Sequence, residues 1–134
     1  MADNLSLPIV RTIVKDVNNL RSEVSRLSVR NFNILAFQHI ENVLKVLIND
    51  SSGTIYKTHH LGTLFVQVER LYPGSFMFVR SRIITASQFD KLLATNYLDL
   101  RYSKDIKAVV RPEKAVYLEV LYALLEICVN YEIT

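Results

Sequence analysis

Apolar residues recur at helical intervals along most of the chain. Ile13, Val17, Leu20, Val24 and Leu27 follow one another at spacings of four, three, four and three, the face of an amphipathic helix that opens near Ser6 and Pro8. Ser28 can cap a second helix, in which Ala36, Ile40, Val43, Leu44 and Leu47 form an apolar stripe and Gln38, Glu41, Asn42, Lys45 and Asn49 the wet side. Glu41 precedes Lys45 by four residues, the favourable order for an ion pair along a helix. NDSSGT then breaks the pattern as a turn. Thr58 is the expected cap of a third helix with Leu61, Leu64, Phe65, Val68 and Leu71 on one face, stopped by Tyr72, Pro73 and Gly74.

The next stretch, SFMFVRSRII, mixes aromatic and β-branched residues and suits a short extended segment as well as a helix. From Thr85, the residues Phe89, Leu92, Leu93, Tyr97 and Leu100 return to helical spacing, which carries a fourth helix to Arg101 and Tyr102 and sets a cation at the negative end of its dipole. Pro112 opens a last helix whose polar stripe, Glu119, Glu126 and Asn130, is narrow, with Tyr117, Val120, Leu121, Leu124, Leu125 and Cys128 filling the rest. A helix this apolar must be covered on most sides, either in the middle of the bundle or by a second copy of the chain, so a homodimer is expected on equal terms. The pattern predicts an all-α fold, an up-and-down bundle of about five helices forming one domain over residues 1–134.

Composition agrees with long regular elements: half of the 134 residues are hydrophobic, and there are only three glycines and three prolines. A chain of this length can bury roughly two-thirds of its unfolded surface. The lone cysteine, Cys128, excludes an intrachain disulfide, and MADNLSLPIV lacks the basic and apolar regions of a leader. No apolar run approaches the ~20 residues of a membrane span, so a cytoplasmic protein away from membranes is expected. The net charge of +3 is local: Arg101, Lys104, Lys107, Arg111 and Lys114 stand against only Asp105 and Glu113. That surplus favours an anionic ligand or an acidic partner near residues 101–114.

Chemistry-bearing residues are few. His59 would lie just past the expected cap, where helix amides favour anions; it either packs on a neighbouring helix or contacts a ligand. His60 would point ~100° away, so the two histidines do not form a metal grip, and no metal or other cofactor is expected. Arg101 can clamp phosphate or carboxylate between the rings of Tyr97 and Tyr102, or it can cap its own helix or pair with Asp99 or Asp105. In an extended segment Arg80 and Arg82 would share one side, as an edge for RNA or simply facing solvent. His39 reads as a core-edge residue and Cys128 as packing. There is no glycine-rich phosphate loop, no G-x-S-x-G elbow, no Cys–His pair on suitable elements and no evident carboxylate pair, so no catalytic residue is assigned.

Three stretches together resemble the HEPN family of small helical domains. FQHIENVLKVLIND is similar to the family's second helix through Glu41, Lys45, Val46, Leu47 and Ile48. KTHHLGTL resembles the opening of the next helix through Lys57, Thr58, His59, Leu61 and Leu64, and YLDLRY resembles the family's tyrosine and arginine-tyrosine signature through Tyr97, Arg101 and Tyr102. Ser103 stands where the family usually has proline. Ribonuclease members carry an arginine followed, after four to six residues, by a histidine; here Arg30 and His39 are separated by eight, so the resemblance does not extend to RNA cleavage. It implies a non-catalytic module that binds a nucleotide or other anionic ligand through Arg101, Tyr102, Tyr97, His59 and Lys57, to which the basic segment adds Lys104 and Lys107. It also implies partnership with a separate minimal nucleotidyltransferase in a two-component, toxin-antitoxin-like system. The alternatives are a dimeric interaction scaffold, and an RNA-binding module that uses Arg80, Arg82 and the 101–114 segment without cleavage.

Overall fold

Ser28 starts the longest helix by accepting the Asn31 amide on its hydroxyl oxygen at 3.1 Å. In the computed structural model, which describes residues 7–53, 57–95 and 114–133, that helix is the second of six: α1 Leu7–Ser22, α2 Val29–Ser52, α3 Leu61–Leu71, α4 Ser75–Ser81, α5 Ala86–Ala94 and α6 Lys114–Ile133. No strand occurs among the described residues, and the all-α bundle expected from the sequence is what forms. With 24 residues, α2 is about 36 Å long. It absorbs the NDSS of the expected turn and ends at Gly53, whose φ of 72° sends its amide back to the Asn49 carbonyl at 2.7 Å.

The buried residues of α2 are too many for one neighbour: Phe32, Ala36, Phe37, Ile40, Val43, Leu44, Leu47 and Ile48 are all in the core. α6 and α3 both pack on this helix, α1 packs on α2 and α6, α4 joins α3 to α6, and α5 lies on α3. α6 buries Val116, Tyr117, Val120, Leu121, Ala123, Leu124, Ile127 and Cys128, so it takes the central of the two coverings its narrow polar stripe allowed. No described helix is long and apolar enough to cross a membrane.

α1 stops at Ser22, short of the Leu27 that periodicity reaches. The chain continues in tight turns, Val24 to Arg21 at 3.2 Å and Arg26 to Glu23 at 3.1 Å, with Val24 and Leu27 still packed on the core. These turns take the Val24 and Leu27 carbonyls out of a helix, and Lys114 satisfies both. Its ammonium donates to Val24 O at 2.6 Å and Leu27 O at 2.7 Å and lies 5.4 Å from the centre of the Phe32 ring. One lysine thus ties the start of α6 to the α1–α2 connection.

The segment left open by its mixed composition is helical as α4. Gly74, at φ 90°, makes the reversal that ends α3, and no side chain at that position caps α4. Glu69 of α3 supplies the cap instead: Oε1 accepts from the Gly74 amide at 2.8 Å, and Oε2 from the Phe76 amide at 3.0 Å and the Ser75 hydroxyl at 3.2 Å. The Phe76 amide, followed by that of Gly74, holds the Glu69 carboxyl below its usual value of 4.5.

Two stability measurements follow from these anchors. Lys114→Met keeps the aliphatic stem but leaves two carbonyls without their charged donor, and is expected to cost about 2–4 kcal/mol in urea unfolding. Glu69→Gln is expected to destabilise the protein at neutral pH. Because folding lowers the Glu69 pKa, its carboxylate stabilises the fold above the unfolded value and loses that contribution as pH falls below about 4.5, so wild type and variant converge in acid.

Candidate functional site

Residues 57–60 lead into α3, with His60 extended at φ −87° and ψ 111°, and the His59 and His60 side chains pair with α2 and with the first turn of α3. Glu41 sits on α2 as a buried carboxylate, 9% exposed, although the sequence pattern assigns it to the wet side. It is held from two directions. The Lys45 ammonium reaches Oε2 at 3.1 Å, the i, i+4 pair expected from the sequence, and His59 Nδ1 lies 2.9 Å from Oε1 and 3.1 Å from Oε2. Donation from Nδ1 to the carboxylate places the lone pair of a neutral ring on Nε2. The His59 side chain is 63% exposed, so the buried acid orients an imidazole at the surface.

His60, not Thr58, caps α3. Its Nδ1 accepts the Thr63 amide at 3.2 Å and lies 3.1 Å from the Thr63 hydroxyl, while the Thr58 hydroxyl accepts the His60 amide at 3.1 Å one turn earlier. The expected register was therefore two residues early: Thr58 shapes the turn before the helix, and His59 stands outside the helix where Glu41 can reach it. Accepting at Nδ1 leaves the proton of a neutral His60 on Nε2, so the two adjacent imidazoles carry opposite tautomers. The ring of His60 folds back over Gly62, where a Cβ would come within 2.9 Å of His60 Cε1 and 3.5 Å of the Leu93 carbonyl oxygen. Gly62 lets the imidazole cap and the C-terminal end of α5 meet at the start of α3.

Of the residues expected to bind a ligand, His59 and Lys57 lie here, Lys57 exposed two residues before His59. Tyr97, Arg101, Tyr102, Lys104 and Lys107 lie outside the described residues. The expectation that one helix runs from Thr85 to Tyr102 is corrected in part: α5 ends at Ala94, where Thr95 turns extended and its hydroxyl bonds the Lys91 carbonyl at 2.7 Å. The Thr95 hydroxyl competes with helical hydrogen bonding at this end, while Tyr97 and Leu100 lie outside the described residues. The basic segment also loses one member to structure, since Lys114 is spent on the Val24 and Leu27 carbonyls.

Arg80 and Arg82 do not share an edge. Arg80 lies in α4 and pairs with Asp90 of α5 at 2.7 Å; Arg82 caps α4, stacks 4.8 Å from the Phe78 centroid and pairs with Glu126 of α6 at 3.2 Å. Their side chains staple α4 to two different helices. His39 is half-buried on α2 and Cys128 fully buried, as expected. No group of three metal-ligating side chains occurs among the described residues.

A second feature was missed by pattern reading. Gly62, Phe65, Val66, Glu69 and Arg70 line a trough of about 460 Å³ on α3, walled by Phe76 of α4 and Leu93 of α5. Their spacing of three, four, seven and eight was visible, but Phe65 alone had been placed on the core stripe.

The fold and these features define a class: among the described residues, six helices, with a carboxylate-oriented imidazole before α3 and an apolar trough along it. Beyond that class, no family model, curated protein or solved structure matches the chain.

The cap is open to test by replacement. His60→Ala is expected to cost about 1 kcal/mol in urea unfolding, and His60→Ser, which restores a side-chain acceptor, to recover most of it.

Proposed function

We propose that the protein is a HEPN-like module that recognises a nucleotide or other anionic ligand at the start of α3 and carries out no bond-making step itself. The observation that carries this reading is the Glu41–His59 contact, at 2.9 Å across 18 residues of sequence. It joins two of the three stretches on which the HEPN resemblance rests, and it fixes an imidazole at the protein surface. The approach of the Leu93 carbonyl to Gly62 supports the same reading, because it delivers the chain to the start of α3 four residues before Tyr97.

In this reading Lys57 offers a cation from the α3 entrance, a doubly protonated His59 donates from Nε2 while Nδ1 stays on Glu41, and Arg101 with Tyr97 and Tyr102 supplies a planar cation and rings for stacking. A phosphate gains charge-assisted hydrogen bonds from these groups, worth roughly 1.5–3 kcal/mol each. Lys45 is committed to Glu41 and contributes by keeping that carboxylate in place. A separate minimal nucleotidyltransferase is the proposed partner in a toxin-antitoxin-like pair, with this chain, as a homodimer in the cytoplasm, supplying recognition.

Isothermal titration with mono-, di- and triphosphates of the four ribonucleosides tests the proposal. Saturable heat is expected with at least one of them, and His59→Ala and Arg101→Ala are each expected to weaken it by about tenfold or more. Absence of heat with every nucleotide, or binding untouched by both substitutions, overturns it.

A further inference from the structure

The trough on the outer side of α3 calls for a different ligand chemistry from the α3 entrance. Its floor and walls are Phe65, Val66, Phe76 and Leu93, and its volume of about 460 Å³ falls within the range of small-molecule sites, roughly 300–1,000 Å³. Phe65 and Phe76 meet edge to face at 6.1 Å, and Phe89 locks both from beneath at 5.6 and 5.7 Å, so the aromatic floor is braced by the core. Val66, 53% exposed, is an apolar side chain left at the rim. The trough is pinched at Gly62, where the Leu93 carbonyl closes on the α3 backbone, and one helical face leads from there to Arg70, about 12 Å away.

The two charged residues of this face are not equivalent. Both oxygens of Glu69 are consumed in capping α4, which ties its charge to three donors. Arg70 is exposed and makes no hydrogen bond or ion pair with any described residue. An apolar cleft with one uncommitted guanidinium at its end complements a molecule with an apolar body and a single anionic head. The floor is built of apolar side chains, and a guanidinium grips a carboxylate through two parallel hydrogen bonds.

We infer that the α3–α4–α5 trough is a binding site for an amphiphilic carboxylate, its hydrocarbon chain or ring lying on Phe65 and Phe76 and its carboxylate on Arg70. The site goes beyond nucleotide recognition and stands or falls without it.

Methyl NMR of the full chain with hexanoate, octanoate and decanoate tests the inference. Saturable shifts are expected at the Val66 and Leu93 methyls, with affinity rising roughly fourfold per added methylene until the trough is full. Octanol, with the same tail and no charge, is expected to bind about tenfold more weakly than octanoate. Arg70→Gln should bring octanoate down to the level of octanol while leaving octanol unchanged, and Val66→Glu should weaken octanoate by at least about tenfold through like-charge repulsion and loss of apolar wall. Both positions are exposed, and circular dichroism checks that each variant keeps its helices. Shifts scattered over the surface or absent, affinity independent of chain length, or octanoate binding unchanged in Arg70→Gln overturns the assignment.

Discussion

The structure depends on α2 being buried on more than one face. A helix of 24 residues with seven large or medium apolar side chains and Ala36 in the core cannot be satisfied by one partner, so α6 and α3 must both lie against it. Each such side chain gains about 1.5–3 kcal/mol by leaving water. Everything else is placed relative to this axis. α1 covers the side shared by α2 and α6, and α3, packed on α2 with Leu61, Leu64 and Val68 buried, becomes the platform for α4 and α5.

The same axis decides where polar groups must go. Wherever the chain leaves a helix, it leaves carbonyls or amides that need partners, and here several partners come from distant elements. Lys114 serves the carbonyls after α1, Glu69 the amides that open α4, and Tyr72, fully buried after α3, donates its hydroxyl to the Leu47 carbonyl at 3.2 Å. Hydrogen bonds to charged groups contribute more than neutral ones, and their absence would leave buried polar atoms unsatisfied. A net charge read as a ligand signal is therefore partly structural.

How much of this could be read from the sequence follows from which contacts are local. Helices α2, α3 and α6 were legible because their apolar spacing and stop signals act within a few residues, and Ser28 with Asn31 and Glu41 with Lys45 are short-range pairs. The cap of α3 was misplaced because threonine is the stronger capping type, while the selection of His60 depends on Gly62 leaving room for its ring and on the contact from α5. α4 was undecided because its stability comes from Glu69, a residue of the preceding helix. Of the expected site, His59 and Lys57 lie at the α3 entrance, but the burial of Glu41 was hidden: only the return of the chain 18 residues later covers it.

That burial bears most directly on how α3 is held. Moving a carboxylate out of water costs several kcal/mol unless it is fully paired, and an apolar residue at position 41 would pack into α2 more cheaply. The charge is kept where it holds His59 against the helix that carries the core, while Tyr72 and the Leu47 carbonyl hold the other end of α3 to the same helix. α3 is thus fastened to α2 before its first turn and after its last. A helix pinned at both ends and buried along one face presents its opposite face with little freedom to move, and a ligand that meets it loses less binding energy to ordering the protein. The imidazole at its entrance and the trough along its outer side share that single rigid support.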